Sequence, residues 1–111
     1  MTCSRAAPGG SAIAQNWDTT TCTAENYNVI YGSLANVSTY TLGGAGCALA
    51  TVGQATWSGV PAGNLWFVIV SQNGSGTEGS WGTTSAGAQR NGTAASAQCG
   101  NTSRSNALTC P

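Results

Sequence analysis

Apolar residues along this chain fall in short runs divided by Gly, Asn and Ser, and within the runs they tend to alternate with polar ones. A period of two marks half-buried strands, and no long stretch carries the 3.6-residue period of an amphipathic helix. Residues 27–32 predict a strand with Tyr27, Val29 and Tyr31 on one face and Asn28 and Ile30 on the other. Leu65-Trp66-Phe67-Val68-Ile69-Val70 is apolar on both faces and predicts a central strand, with Trp66, Val68 and Val70 on one side and Leu65, Phe67 and Ile69 on the other. Weaker strand patterns cover residues 11–17, ending at Trp17, and residues 54–58, which carry Trp57. Residues 37–42 are Thr-rich and read as a peripheral strand, and a last strand runs from about residue 79 through Trp81 to 85. Gly59-Val60-Pro61-Ala62-Gly63 and Asn73-Gly74-Ser75-Gly76 have turn chemistry, and Thr77-Glu78 leads out of the second turn.

The expected fold is an all-β antiparallel β-sandwich with Trp17, Tyr27, Val29, Tyr31, Trp66, Val68 and Val70 in its core. At 111 residues the chain has room for one domain. The sandwich occupies about residues 11–92, and a tail over 93–111 is closed by Cys99 and Cys110.

Charge changes the picture more than length does. Arg5, Asp18, Glu25, Glu78, Arg90 and Arg104 are the only charged side chains; Lys and His are absent and the net charge is zero. Disordered chains combine low hydrophobicity with high net charge, and this one has neither. Zero net charge also removes the electrostatic footprint of nucleic-acid binding. The longest apolar run, Leu65 to Val70, is far too short for membrane insertion as a helix. No leader is read in Met1-Thr2-Cys3-Ser4-Arg5, and the sequence leaves open whether the chain is one piece of a longer parent.

Five cysteines in so short a chain point to an oxidising compartment and a disulfide-stapled fold. No CxxC pair and no His are present, which disfavours structural zinc. Five choices of spare thiol, with three pairings of the rest, give fifteen schemes that spacing alone does not rank. The preferred scheme closes the two local loops, Cys22–Cys47 and Cys99–Cys110, each adding about 3 kcal/mol, and leaves Cys3 unpaired or intermolecular. Its rival ties Cys3 to Cys99 or Cys110.

The chemistry-bearing inventory argues against an enzyme. Without His, neither a Ser-His-Asp nor a Cys-His site forms within the chain. Asp18 and Glu25 flank Cys22 and read as solvated loop acids rather than a glycosidase pair, and the three scattered carboxylates make no calcium loop. No cofactor or metal is expected. Trp57, at a strand end, and Trp81, between Ser80 and Gly82, have little around them in sequence to bury them. They are the candidate ligand or partner contacts, as a sugar platform or a domain interface. Asn36, Asn73, Asn91 and Asn101 each open an N-glycosylation pattern, and these mark surface turns.

The order of these features resembles the fibronectin type III pattern. Trp17 is followed by Tyr27-Asn28-Val29, then by Val60-Pro61-Ala62-Gly63 leading into the Leu65–Val70 run, then by Asn73-Gly74 and Glu78-Gly79-Ser80. Over residues 11–92 the chain is similar to divergent fibronectin type III-like domains near the C-terminus of bacterial secreted and cell-surface proteins. The residues that carry this are Tyr27-Asn28-Val29-Ile30-Tyr31-Gly32-Ser33-Leu34, Cys47, and Glu78-Gly79-Ser80-Trp81-Gly82-Thr83-Thr84-Ser85-Ala86-Gly87-Ala88-Gln89-Arg90. Residues 2–10 depart from the pattern and do not read as a first strand. The resemblance implies an immunoglobulin-like, fibronectin type III-like sandwich at an extracellular or cell-surface location. It implies a non-enzymatic structural, adhesion or spacer module, whose partners are neighbouring domains or other copies of itself. One alternative is a carbohydrate-binding module using Trp57 or Trp81. Another is a self-assembling filament or layer subunit linked through Cys3.

Overall fold

The two most apolar segments pair with each other, and the rest of the chain covers what they leave exposed. In the computed structural model, which describes residues 2–5, 11–20 and 23–107, the strands are β1 Thr2–Arg5, β2 Ala12–Asn16, β3 Asn26–Ser33, β4 Gly44–Gly46, β5 Gln54–Ser58, β6 Leu65–Gln72, β7 Thr77–Glu78 and β8 Ser103–Arg104. They form two sheets, ordered β1-β2-β5 and β4-β3-β6-β7-β8. Every pairing is antiparallel except β7 with β8. The chain is all-β, and its sheets are stacked as in a sandwich.

The pair β3–β6 runs in register from Asn26–Gln72 to Ser33–Leu65, and both of its faces are covered. Tyr27, Val29 and Tyr31 share one face with Phe67 and Ile69, as strand alternation requires. That face meets the smaller sheet: Trp17 lies 5.4 Å from Tyr27, and Trp57 lies 5.1 Å from Tyr31 and 5.7 Å from Phe67, centroid to centroid. The opposite face carries Ile30, Trp66, Val68 and Val70, and packs against Trp81, Tyr40 and Leu42. The residues expected to form one core therefore divide between two, on opposite sides of one sheet. Tyr27, Val29, Trp66 and Val70 are buried, whereas Trp17, Tyr31 and Val68 are half-buried.

Burial on this second face leaves no room at Gly32. A Cβ there would stand 2.2 Å from the Thr41 carbonyl oxygen and 2.7 Å from Trp66 Nε1, so the indole sits where any other residue would project.

Several expectations change. Residues 2–5 form β1, pairing with β2 from Thr2–Asn16 to Arg5–Ile13, although their Thr-Cys-Ser-Arg sequence carries no apolar pattern. Residues 37–42 are not a strand. A 3-10 segment over Leu34–Thr39 ends at Tyr40, whose left-handed backbone (φ 53°) drops its ring onto Trp66 and Trp81. The strand that follows β6 is Thr77–Glu78, and residues 79–85, expected to be the last strand, hold an irregular path with one bridge, Thr83–Gln89; the last strand among the described residues is Ser103–Arg104. Residues 93–107 are not a separate tail, because Ser96 is buried and Ser103–Arg104 joins the larger sheet.

The disulfide among the described residues is long-range. Cys47 bonds Cys99, 52 residues on, with Cα atoms 5.5 Å apart. This replaces both local closures, Cys22–Cys47 and Cys99–Cys110; Cys22 and Cys110 lie outside the described residues. The two loops are also aligned by side chains that project from the central strands. Ala48 N–H donates to Asn28 Oδ1 (2.9 Å), Asn28 Nδ2 to Gln72 Oε1 (2.6 Å), and Gln72 Nε2 to the Cys99 carbonyl (3.1 Å). Cys3 is free and exposed.

Closing a loop of 52 residues adds about 4 kcal/mol on the chain-entropy account. The variant Cys47→Ser is expected to lose most of that in urea unfolding, and a loss below about 1 kcal/mol would show that Asn28 and Gln72 hold the loops unaided.

Candidate functional site

Polar chemistry in this molecule concentrates beneath the C-terminal segment. β7 places Glu78 opposite Gln72 at the margin of the larger sheet, on the face that carries Val70 and Trp66. Glu78 is 0% exposed. Its Oε1 accepts from Trp81 Nε1 (2.8 Å) and from the Ser96 backbone N–H (2.8 Å), and its Oε2 accepts from Ser96 Oγ. Its own carbonyl takes Ser105 N–H at 2.9 Å. A carboxylate offers about four lone-pair sites, and three are filled by fixed donors.

Arg104, on β8, completes the cluster from the far side of the Trp81 ring. Its guanidinium carbon lies 5.1 Å from the ring centroid, within range for a cation–π contact. The head donates to Asn106 Oδ1 (3.0 Å), the Ala94 carbonyl (3.3 Å) and Gln89 Oε1 (3.4 Å). Burial lowers the Arg104 pKa, and the negative charge of Glu78 acts against that shift. Arg90 Nη1 holds the Trp81 carbonyl at 3.3 Å, and Ser80 Oγ bridges Gln89 Oε1 and the Gly82 N–H. Trp81 is thus gripped at its indole nitrogen, its face and its backbone.

This arrangement holds chain segments in place and is poorly suited to chemistry. A general acid or base must reach a substrate proton within hydrogen-bond distance. The Glu78 oxygens have no path to one, since each is already engaged by the chain itself. The other carboxylates are engaged separately: Asp18 Oδ1 accepts from Thr20 N–H (2.7 Å), and Glu25 lies against the turn at Gly74. No group of three or more potential metal ligands occurs among the described residues.

Trp57 and Trp81, expected as exposed contacts, are 6% and 3% exposed. Trp57 fills the space between the sheets, and Trp81 fills the space between sheet and C-terminal segment. Neither ring is a surface platform. Asn101, one of the expected surface turns, is 1% exposed, and both polar atoms of its amide lack a partner. Asn73 does mark a turn, its Oδ1 accepting from Ser75 and Thr77.

Surface apolarity lies elsewhere, at the end of the sandwich where β3 leaves and β6 begins. A groove there is lined by Ile13, Leu34, Val60, Pro61, Leu65 and Phe67. Leu34 is 50% exposed and Val37, in the same 3-10 segment, 40%. Sequence reasoning missed this patch because Leu34 and Val37 look like strand-flanking core residues. It also passed over Ser96, one serine among many with no signal of its own, and the roles of Glu78 and Arg104, whose one signal is scarcity: with three acids and three arginines in 111 residues, each charge is worth locating.

No family model, no curated protein and no solved structure matches the chain. No helix among the described residues is long and apolar enough to cross a membrane. The Cys47–Cys99 bond is compatible with an extracellular location.

Removing the Glu78 carboxylate strands three buried donors, each costing about 1–3 kcal/mol. Glu78→Ala is therefore expected to cost about 3 kcal/mol or more in urea unfolding followed by Trp fluorescence, and Glu78→Gln less, since an amide keeps one acceptor oxygen. A loss below about 1 kcal/mol for Glu78→Ala would contradict the assignment.

A second outcome concerns pH. Burial pushes the Tyr27 phenol above its ordinary 10.0; the Asp18 charge adds to this, and a backbone hydrogen bond at Ala24 opposes it. The fold therefore favours the protonated phenol. That contribution is complete below the unfolded value and is lost as pH rises through the raised folded one. Between about pH 9 and about pH 11 the native chain should lose more stability than Tyr27→Phe, and equal losses would contradict it.

Proposed function

We propose that the chain is a non-enzymatic extracellular module, a spacer or adhesion domain with a fibronectin type III-like sandwich. The observation that carries this reading is the fate of Glu78: it is fully buried, and both of its carboxylate oxygens accept from the chain's own Trp81 and Ser96.

Two further features support the reading. The order β1-β2-β5 against β4-β3-β6-β7, with β8 added in parallel at the edge, is compatible with a fibronectin type III-like sandwich. The apolar groove with exposed Leu34, at the end of the sandwich where Ser33 and Leu65 pair, offers a surface to a neighbouring module. Fold alone does not fix function, so what the module touches is a matter for its end surfaces rather than its interior. Burial of Trp57 and Trp81 removes the residues on which the carbohydrate reading rested.

Two and three copies joined head to tail test this by small-angle scattering. Each added copy should lengthen the particle by about the long dimension of one module, 38 Å. Concatemers that fold back into a compact particle would overturn the spacer role.

A further inference from the structure

We propose that the open edge of β5 takes up an extended, uncharged peptide segment of a partner, which joins the smaller sheet as a further strand antiparallel to β5. The proposal rests on the contact-module reading and names the class of partner. Among the described residues four strands stand at sheet margins: β1, β5, β4 and β8. An edge strand presents unpaired N–H and C=O groups, and proteins blunt such edges with inward charge, shortness, proline or glycine. β1 carries Arg5 opposite Ile13, a charge on the inward face. β4 is Gly-Ala-Gly, and β8 is two residues long with Arg104. β5, Gln54-Ala55-Thr56-Trp57-Ser58, contains no charge, proline or glycine.

The alternation of bonds along β5 fixes which of its groups are open. Trp17 N–H donates to the Gly53 carbonyl (2.8 Å), one step beyond the Asn16–Gln54 pair and in the same register. Hydrogen-bonded and non-hydrogen-bonded pairs alternate along an antiparallel ladder. The bonded pairs are therefore Gln15–Ala55 and Ile13–Trp57, while Gln54, Thr56 and Ser58 turn their N–H and C=O groups away from β2. No other backbone bond reaches these three among the described residues, and all three are exposed.

The side chains along this edge specify the occupant. Between β5 and β4 runs a groove lined by Tyr31, Ala45, Gly46, Ala48, Ala55 and Trp57, and no charged residue borders it. Ala45, Gly46, Ala48 and Ala55 carry nothing beyond Cβ, so the walls leave the groove open to the side chains of an added strand. Directly opposed residues of an antiparallel pair share a face. Residues opposite Ala55 and Trp57 therefore enter the groove, where an apolar side chain fits and a charged one would lose its water without meeting a counter-charge. Residues opposite Gln54, Thr56 and Ser58 stay at the surface, where a Thr gains cross-strand hydroxyl pairing. The partner is thus an extended segment alternating apolar with uncharged polar residues. Its main chain supplies the hydrogen bonds and its inward side chains the selectivity.

The test titrates the full chain with acetyl-Thr-Val-Thr-Val-Thr-amide and follows the backbone amides by NMR and hydrogen exchange. The expected result is saturable binding that slows exchange at Thr56 and Ser58 by roughly tenfold or more. N-methylation of the peptide's Thr amides, which face β5, should abolish binding, and N-methylation of its Val amides should leave it intact. Thr56→Pro removes a donor from the open edge and none from the ladder with β2, so it should keep the native Trp fluorescence and lose binding. The methylated peptides decide the point on the unaltered chain. No saturable binding at millimolar peptide, equal binding of both methylated peptides, or a folded Thr56→Pro that still binds would each overturn the proposal. So would exchange slowed at Thr2–Arg5 or around Leu34 and Val60 in place of β5. Protection of Thr56 in the protein alone, rising with its concentration, would name a second copy as the occupant and overturn it too. The spacer reading is decided separately, by the length of the concatemers.

Discussion

A carboxylate removed from water must be met by donors at every turn, and Glu78 is removed from water completely. That constraint organises residues 79–107, most of which lack regular structure. Trp81 and Ser96 are drawn to it from 3 and 18 positions away. Arg104 then lies over the face of Trp81, and Ser105 donates to the Glu78 carbonyl. Trp81 packs with Ile30, Trp66 and Val70, and the other contacts tie residues 96, 104 and 105 to Glu78 and to the Trp81 ring. Burying a large apolar side chain contributes roughly 1.5–3 kcal/mol, so the polar cluster holds in place a substantial share of the hydrophobic stabilisation. The disulfide works on the same segment from its other side, through Cys99, with Asn28 and Gln72 aligning the loops it joins.

How much of this was legible in the sequence follows from what holds each element. β3, β5 and β6 are made by their own side chains, and their runs of Tyr, Val, Ile, Trp and Phe announce them. β6, apolar on both faces, is central in its sheet as its sequence predicts, and the covering of both faces accounts for its double apolarity. β1, β4 and β8 read Thr-Cys-Ser-Arg, Gly-Ala-Gly and Ser-Arg. They exist because a neighbouring strand offers backbone partners, which leaves no periodic trace. Residues 37–42 have strand-like composition, but the chain there must climb from β3 over the second face. The left-handed turn at Tyr40 achieves that.

The site was less legible than the fold. Trp81 sits among Gly, Ser and Thr, so its local sequence says surface. Its burial comes from Arg104, Tyr40 and Trp66, all distant along the chain. The same holds for Cys47, whose partner is 52 residues away and is brought near only once β3 and β6 have paired. Local closure was the simpler guess for the cysteines, and topology overrode it. What results is a molecule whose buried carboxylate, Glu78, serves its own architecture.

The claim that residues 79–107 are a structural layer, and not a tail laid on a finished sandwich, is tested most directly by native-state hydrogen exchange. Amides of Gly79, Ser96 and Ser105, bonded to Ser71, Glu78 and Glu78, are compared with those of Ile30 and Val68 in the central pair. The account predicts that all five exchange only through global unfolding, with one opening free energy and one response to denaturant. Opening of Ser96 and Ser105 at much lower free energy, while Ile30 and Val68 stay protected, would contradict it.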